Sequence, residues 1–300
     1  MPLAPFRYKL IRGIDFYSYA LERIRREPGI ELLTAGITEI RNGSGLGSVT
    51  AGGERYEATW VFSSIAPAQP ALQKGDYYLL QHFRGWVVQA PAPVFDPEQP
   101  ILMDFRVGQE DGTTFVYVLP FSADKALVEY TLFSPALWPM ERYEQGLREY
   151  LQARWGLTDF RICEEEFGII PMTNHRYPVS DGAVIQLGSA GGQTKPSSGY
   201  TFRFIQKHSE RIVDCLRKST HPARAGGSGG GRFRFYDSTL LHILQHRTLP
   251  GDRIFSRLFF RNPAARVFRF LDNDSKLVEE LKLIASLPTG PFLRAALKQV

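Results

Sequence analysis

A chain of 300 residues, 43% of them hydrophobic and 22% charged, has the composition of a globular protein with a substantial core. Its net charge of +5 is spread along the sequence without blocks of lysine and arginine, which argues against a nucleic-acid-binding protein. Two distant cysteines and six histidines without ligand spacing predict neither a disulfide framework nor a metal site.

The first 75 residues predict a helix followed by a small β-meander. Ile14, Tyr17, Ala20 and Ile24 recur at helical spacing, and the strands that follow are interrupted by glycine turns. This order is typical of the second half of a flavin-binding domain. The first half of such a domain would carry a strand, a GxGxxG loop and a helix, and no such unit precedes the meander.

Residues 76–180 predict an antiparallel sheet domain. The runs YYLLQHFRGWVVQA, ILMDFRV, TTFVYVLPFS and ALVEYTLFS read as strands, and PMERYEQGLREYLQARWG reads as a helix that ends at Gly156. In the first run, strand spacing places His82, Arg84 and Trp86 on one face, where we interpret them as part of a surface strand edge.

Residues 181–222 predict a buried strand, a glycine-rich turn and a helix. We expect the turn to bind a cofactor, because its glycines allow close backbone approach and a helix start offers free N–H groups. The alternative is a tight turn that needs glycine only for packing. The candidate cofactor-binding residues are Gly188, Gly191, Gly192, Pro196, Ser197, Ser198, Gly199 and Tyr200, and the helix is expected to begin at residues 197–199.

The remainder divides into a glycine-rich linker at 223–232 and a helical region at 233–300. In that region Arg253, Arg257 and Arg261 recur every four residues among aromatic side chains. Such a helix either lies in an anionic membrane interface or packs on the core with a solvated arginine face. No apolar run approaches the roughly 20 residues of a spanning helix, so we expect a cytoplasmic protein that at most lies on a membrane surface.

Three charged residues are candidates for chemistry. Glu129 lies within an apolar strand, where burial would keep its carboxyl protonated and able to protonate an alkene; alternatively it points outward. Asp104 and Arg106 lie two apart, which places them on one face of a strand as a substrate-shaping network or as a solvent-facing pair.

Read in order, these motifs resemble the lycopene cyclase family of flavoproteins over nearly the whole chain. The matching segments are MDFR at 103–106, FVYVLPFS at 115–122, VEYTLFS at 128–134, EEEFGIIPM at 164–172 and GSAGGQTKPSSGY at 188–200.

The resemblance implies a fold of the α/β (α+β) type: a Rossmann-like, FAD/NAD(P)-binding flavoprotein fold of the glutathione-reductase type, with an antiparallel substrate sheet and a helical C-terminal part. It implies cyclisation of lycopene ends to β-ionone rings without net redox change, with reduced FAD as cofactor and NAD(P)H as electron source. Glu129 maps onto the family's acid–base residue, and Asp104 and Arg106 match its motif. A second acidic residue that many relatives carry is replaced here by Tyr130.

The resemblance also implies that the first βαβ unit, the ADP side of the FAD site, is missing through N-terminal truncation. Lycopene or a related carotenoid and a membrane surface are the expected partners. Two rivals stay open: another flavoprotein of the superfamily, such as a prenyl reductase or hydroxylase, and a non-catalytic carotenoid-binding remnant.

Overall fold

The computed structural model describes residues 9–65, 70–227 and 230–299, and within these ranges the chain forms helices and three β-sheets. The helices are Gly13–Arg25 (α1), Met140–Trp155 (α2), Phe202–Arg217 (α3), Gly231–Gln245 (α4), Gly251–Arg261 (α5), Ala264–Leu271 (α6), Leu277–Ala285 (α7) and Thr289–Leu297 (α8). The strands are Ile37–Asn42 (β1), Gly47–Ala51 (β2), Glu54–Ala58 (β3), Val61–Ser63 (β4), Tyr78–Gln89 (β5), Ile101–Asp104 (β6), Thr113–Pro120 (β7), Lys125–Ser134 (β8), Arg161–Thr173 (β9), Ser180–Asp181 (β10) and Val184–Gln186 (β11). The predicted order of helices and strands is confirmed.

The two small sheets lie in the N-terminal part and next to the glycine-rich turn. Strands β1, β2 and β3 form an antiparallel meander. Strand β4 pairs in parallel with β11, Val61 opposite Val184, and β10 adds an antiparallel edge. The parallel pair of β4 and β11 is the Rossmann-like element, and the glycine-rich turn follows directly after β11.

The large sheet is antiparallel throughout, in the order β6-β7-β8-β5-β9. Strand β5 is internal, so the interpretation of His82, Arg84 and Trp86 as a surface strand edge is wrong. His82 and Trp86 are buried because β5 hydrogen-bonds to β8 on one side and to β9 on the other.

The two faces of this sheet are covered differently. One face packs against α2 through Trp86, Val116, Val128 and Tyr130. The opposite face, called here the inner face, carries the alternate residues of the same strands. At one end of the inner face Leu79, Phe115, Phe133 and Met172 pack against the C-terminal helices.

Helix α3 begins later than predicted. Its first residue is Phe202, with Thr201 as N-cap, rather than residues 197–199. The reason is a turn that closes before the helix: the N–H groups of Ser198 and Gly199 both donate to the carbonyl of Lys195, and Gly199 has φ +70°. The glycine at this position is required by the left-handed backbone.

Both ends of the predicted linker 223–232 are helical. A 3₁₀ helix covers Pro222–Ala225 and α4 begins at Gly231, while residues 228–229 lie outside the described residues. The five predicted C-terminal helices are confirmed as α4 to α8. Across the described ranges, no helix combines the length and apolarity that crossing a membrane requires.

Candidate functional site

Glu129 lies in the middle of the inner face, beside a second carboxylate. Tyr117 of β7, Glu129 of β8, Gly85 of β5 and Glu166 of β9 stand side by side in register. A Cβ added to Gly85 would lie 2.7 Å from Cγ of Glu166. The Glu166 side chain therefore covers Gly85 and extends towards Glu129, which only a glycine between them allows.

The environment of Glu129 holds a proton on its carboxyl near neutral pH. Burial raises the pKa of Glu129 to about 7; the hydrogen bond that Thr131 Oγ1 donates to Glu129 Oε1 (2.7 Å) lowers the pKa, and the charge of Glu166 raises it further. Burial also raises the pKa of Glu166, as does the neighbouring Glu164. Glu129 thus has the acidity expected of a proton donor at physiological pH.

A cavity of about 620 Å³ adjoins Glu166, the second carboxylate of this pair. Gly85, Val87, Leu127 and Glu166 line it from the sheet, and residues 10–14 line it from the chain around the start of α1. Glu164 and Lys125 contribute charged groups to the same cavity, and Arg12 approaches Glu164. Glu166 therefore lies next to open space, whereas Glu129 is not part of the cavity lining.

Asp104 and Arg106 are brought together, but not with Glu129. Asp104 pairs with Val116 of β7, which places it on the α2 face of the sheet, where it is buried. Arg106 Nε donates to Asp104 Oδ1 (2.8 Å) and Tyr150 Oη of α2 donates to Oδ2 (2.8 Å). These hydrogen bonds overcome the effect of burial and lower the pKa of Asp104. These hydrogen bonds link β6, the edge strand of the large sheet, to α2.

The glycine-rich turn lines a separate pocket of about 320 Å³. Of the predicted cofactor-binding residues, Gly191, Gly192 and Pro196 line it, together with Ser189 and Thr194. Arg176, which follows β9 in the chain, and Arg234 of α4 add positive charge to this pocket. Gly192, which lines the pocket, has φ +70°, a left-handed conformation that favours glycine; Gly188 has φ +60° but lies outside the lining.

Two features near the turn would suit a flavin ring, although neither Gln81 nor Gln193 is part of the pocket lining. Within the described part of the chain, the side-chain oxygens of Gln81 and Gln193 are buried and accept no hydrogen bond, which suits a ligand that carries N–H donors. Helix α3 also begins without a side-chain cap, so its first N–H groups suit an electron-rich ring edge. Gly199 lies directly over Gln81, because an added Cβ would collide with Gln81 Oε1.

The other residues predicted for the cofactor have different surroundings. Ser197 is buried and its hydroxyl donates to Asp237 Oδ1 of α4 (2.5 Å). The same carboxylate forms a fully buried ion pair with Lys195 (2.8 Å). Ser198 and the half-exposed Tyr200 lie between that anchor and α3. The buried pair, which the sequence did not reveal, holds the turn against the C-terminal helices.

The turn and Glu129 share one face of the large sheet. Gly199 lies over Gln81 and Ile170, which are paired across β5 and β9 on the inner face. Gln81 precedes Gly85 by four residues, a separation of about 13 Å along an extended strand. Phe83 covers Gly168 between the two positions.

The chain resembles known proteins in both its sequence and its fold. The family described as lycopene cyclase protein matches residues 2–297. The lycopene beta-cyclase of Pseudescherichia vulneris is 28% identical over 219 residues, which cover 66% of this chain and 54% of that protein. The lycopene beta-cyclase of Pantoea ananas is 27% identical over 212 residues, covering 65% of this chain and 53% of that protein. The chain thus spans about half the length of the curated relatives it matches.

Among solved structures, a flavin-dependent brominase superposes with a TM-score of 0.52 at 11% identity, over 90% of this chain and 74% of that one. This likeness confirms the flavoprotein fold.

Proposed function

The chain belongs to the lycopene cyclase protein family, and on that premise we propose that it cyclises the linear ends of lycopene to β-ionone rings. The observation that carries the proposal is the position of Glu129, a carboxyl group whose pKa is raised to about 7 and which shares a sheet face with the glycine-rich turn. A neutral carboxylic acid on a largely apolar sheet is suited to protonating an alkene.

The reaction needs one proton donated and one removed. The Glu129 carboxyl gives its proton to the terminal double bond, and the neighbouring double bond attacks the tertiary cation and closes the ring. The Glu129 carboxylate left by the first step then accepts a ring proton, which forms the new double bond, regenerates the acid and leaves the substrate isomerised without net redox change. Thr131 holds one oxygen of Glu129 in place, and Glu166 disfavours the ionised form of Glu129 before the proton is transferred.

FAD is the cofactor in this proposal, with NAD(P)H as the electron source. Gly188, Gly191, Gly192, Pro196, Ser198, Gly199 and Tyr200 form the turn that would hold the ring, and Ser197 would act by anchoring the turn to Asp237. When bound in its reduced form, the flavin supplies negative charge that stabilises a carbocation. Gln81 and Gln193 would accept hydrogen bonds from the ring.

Asp104 and Arg106 enter the proposal as positioning residues rather than as groups that touch the substrate. Their network lies on the α2 face, so the sheet separates them from Glu129. Fixing β6 and α2 keeps β7 in register with β8, and that register sets the position of Glu129.

We also propose contact with a membrane surface, since lycopene dissolves in lipid. The support is an exposed apolar surface on α7 and α8, together with Phe260 of α5, which is 89% exposed. The surface comprises Leu277, Val278, Leu281, Leu293 and Leu297. The apolar side of α5 itself packs in the core, and Arg257 donates to the carbonyl of Ser286, so α5 contributes Phe260 and an arginine face.

The test supplies the purified chain with FAD, NADPH and lycopene-loaded liposomes without oxygen, and analyses the carotenoids by chromatography and mass spectrometry. We expect cyclic products with the mass of lycopene and no NADPH consumption that scales with product. Products two hydrogens heavier than lycopene would indicate a reductase, and oxygenated products in a parallel reaction with air would indicate a hydroxylase. A shifted lycopene absorption band with no product would indicate a carotenoid-binding protein. Each of these results contradicts the proposal.

A further inference from the structure

A cleft beside α4, called here the basic cleft, carries an excess of positive charge. It has a volume of about 900 Å³. Asp76 is the only carboxylate among the described residues that line it. The cationic side chains of the lining are Lys74, Arg176, Arg234 and Lys298. A concave surface lined by charges of one sign concentrates ligands of the opposite sign, so the basic cleft is suited to an anion.

The positive charges of the basic cleft have no partner within the described part of the chain. There, none of the four cationic side chains takes part in an ion pair or in a side-chain hydrogen bond. Asp76 is engaged with other groups, because its Oδ2 lies 2.8 Å from His175 Nδ1 and also accepts the backbone N–H of Gln73. The four cations are therefore available to an anion that comes from outside the chain.

Two of these cations repel each other. Arg176 follows β9 and Arg234 lies in α4; burial lowers the pKa of Arg234, and the charge of Arg176 lowers it further. An anion placed between the two guanidinium groups would replace this repulsion by attraction. The planar, multiply donating guanidinium group matches the oxygens of a phosphate group, which makes phosphate the anion that this pair fits best.

A second group of like charges lies in the same cleft. His242 and His246 are one turn apart on α4, with their ring centroids 4.3 Å apart, and Lys298 follows α8. Burial lowers the pKa of His242, and the charges of His246 and Lys298 lower it further. A bound anion would favour the charged forms of these groups. Positive charge is thus crowded in two places of one cleft.

The basic cleft is distinct from the candidate flavin site. Asn174, Arg176 and Arg234 line both the basic cleft and the pocket of the glycine-rich turn. The described lining of the basic cleft includes no residue of the turn at 188–200 and none of β4 or β11, the parallel pair that leads into the turn. The cleft therefore offers its charges to a ligand other than the flavin ring.

We propose that the basic cleft binds a phosphate monoester, whose negative charge is shared by Arg176, Arg234 and Lys298. Two sources carry this chemistry. One is a soluble phosphate ester. The other is the headgroup of an anionic lipid, since Lys298 directly follows Leu297, which is 69% exposed and belongs to the apolar surface of α7 and α8. The inference does not depend on the proposed function, because binding requires neither flavin nor lycopene.

Two probes present the same phosphate monoester from the two sources. Glycerol 3-phosphate is titrated into the chain by isothermal titration calorimetry, and phosphatidic acid in phosphatidylcholine vesicles is tested by flotation, both at constant ionic strength. Arg234→Gln and Lys298→Gln each remove one cation of the cleft. Arg253→Gln is the matched control, because it removes the same charge from an exposed position of α5 outside the lining.

We expect Arg234→Gln to weaken binding about tenfold, as for the loss of a hydrogen bond to a charged group. The exposed Lys298→Gln should weaken it about threefold, and Arg253→Gln should bind like the wild type. Lys298→Gln also covers the case in which Arg234→Gln does not fold, which circular dichroism would show. These losses with glycerol 3-phosphate would identify a soluble ester, and the same losses with phosphatidic acid vesicles alone would identify a lipid headgroup.

Three results would overturn the inference. The first is that glycerol 3-phosphate does not bind and that vesicles with phosphatidic acid bind no better than phosphatidylcholine alone. The second is unchanged binding by the folded cleft variants. The third is an equally large loss in Arg253→Gln, which would indicate attraction to the net charge rather than to the cleft. Because the assay contains no FAD and no lycopene, a failure of the proposed function would leave each of these results unchanged.

Discussion

Replacing Glu166 by glutamine tests whether the second carboxylate controls the acidity of Glu129. Strands β8 and β9 flank β5, so the Cα atoms of Glu129 and Glu166 lie about 10 Å apart, two strand spacings, and this distance serves as the reference for the repulsion between the two side chains. Two unit charges at that distance repel by about 1.7 kcal/mol at an effective dielectric constant of about 20. This corresponds to roughly one pKa unit for an ionised Glu166, and burial, which raises the pKa of Glu166, acts to reduce the effect.

The sign of the effect follows from the role of Glu129 as a proton donor. Its pKa is raised to about 7, so kcat/KM of the wild type should fall as pH rises through 7. Glu166→Gln removes the repelling charge and lowers the pKa of Glu129. The fall should therefore begin at lower pH, and activity near pH 8 should decrease by up to about tenfold, with little change below pH 5.

The assay is the pH profile of lycopene cyclisation, measured for the wild type, Glu166→Gln and a control. Glu165→Gln is the matched control, because Glu165 borders the same cavity as Glu166 but forms an ion pair with Arg84 on the opposite face of the sheet. The charged groups Glu164, Lys125 and Arg12 and the neighbouring Tyr117 stay unchanged in both variants. A profile of Glu166→Gln that coincides with the wild type, or a shift to higher pH, would refute the reasoning.

Three further predictions concern the same site and its anchor. Glu129→Gln should lower kcat at least about 100-fold. A carboxyl group with a raised pKa stabilises the folded state at low pH, and this stabilisation is lost as pH rises through that pKa. In urea unfolding, the free energy of unfolding of the wild type should therefore fall by up to about 3 kcal/mol between pH 4.5 and 7, and Glu129→Gln should lack this fall. Gly85→Ala should displace Glu166 and shift the pH profile in the same direction as Glu166→Gln, and a normal profile would count against the contact. Asp237→Ala should lower the free energy of unfolding, measured by thermal unfolding, by about 3–5 kcal/mol, because it leaves the Lys195 charge buried and unpaired. A smaller loss of stability in the double variant with Lys195→Met would confirm the pairing.

Local patterns predicted the strands, the helices and the position of the turn, because alternation and helical spacing reflect which face each element buries. Glu129 could be singled out for the same reason, as a carboxylate in an apolar strand. Its neighbour Glu166 could not, since the contact depends on the register of β8, β5 and β9 and on the absence of a side chain at Gly85.

The residues around Asp104 and the turn illustrate the same limit. Strand spacing placed Asp104 and Arg106 together, but β6 ends at Asp104, and the partner that fixes its face, Tyr150, comes from α2. Lys195 and Asp237 lie 42 residues apart, and only the packing of α4 against the turn joins them. Contacts between distant segments decided every part of the site that the sequence did not reveal.

Cyclisation in deuterium oxide tests the central claim most directly. If the Glu129 carboxyl, in exchange with solvent, protonates the terminal alkene, each ring formed should carry one solvent-derived deuterium, and Glu129→Gln should form no labelled ring. Rings without deuterium, or labelled rings at the wild-type rate from Glu129→Gln, would contradict the assignment of Glu129 as the acid.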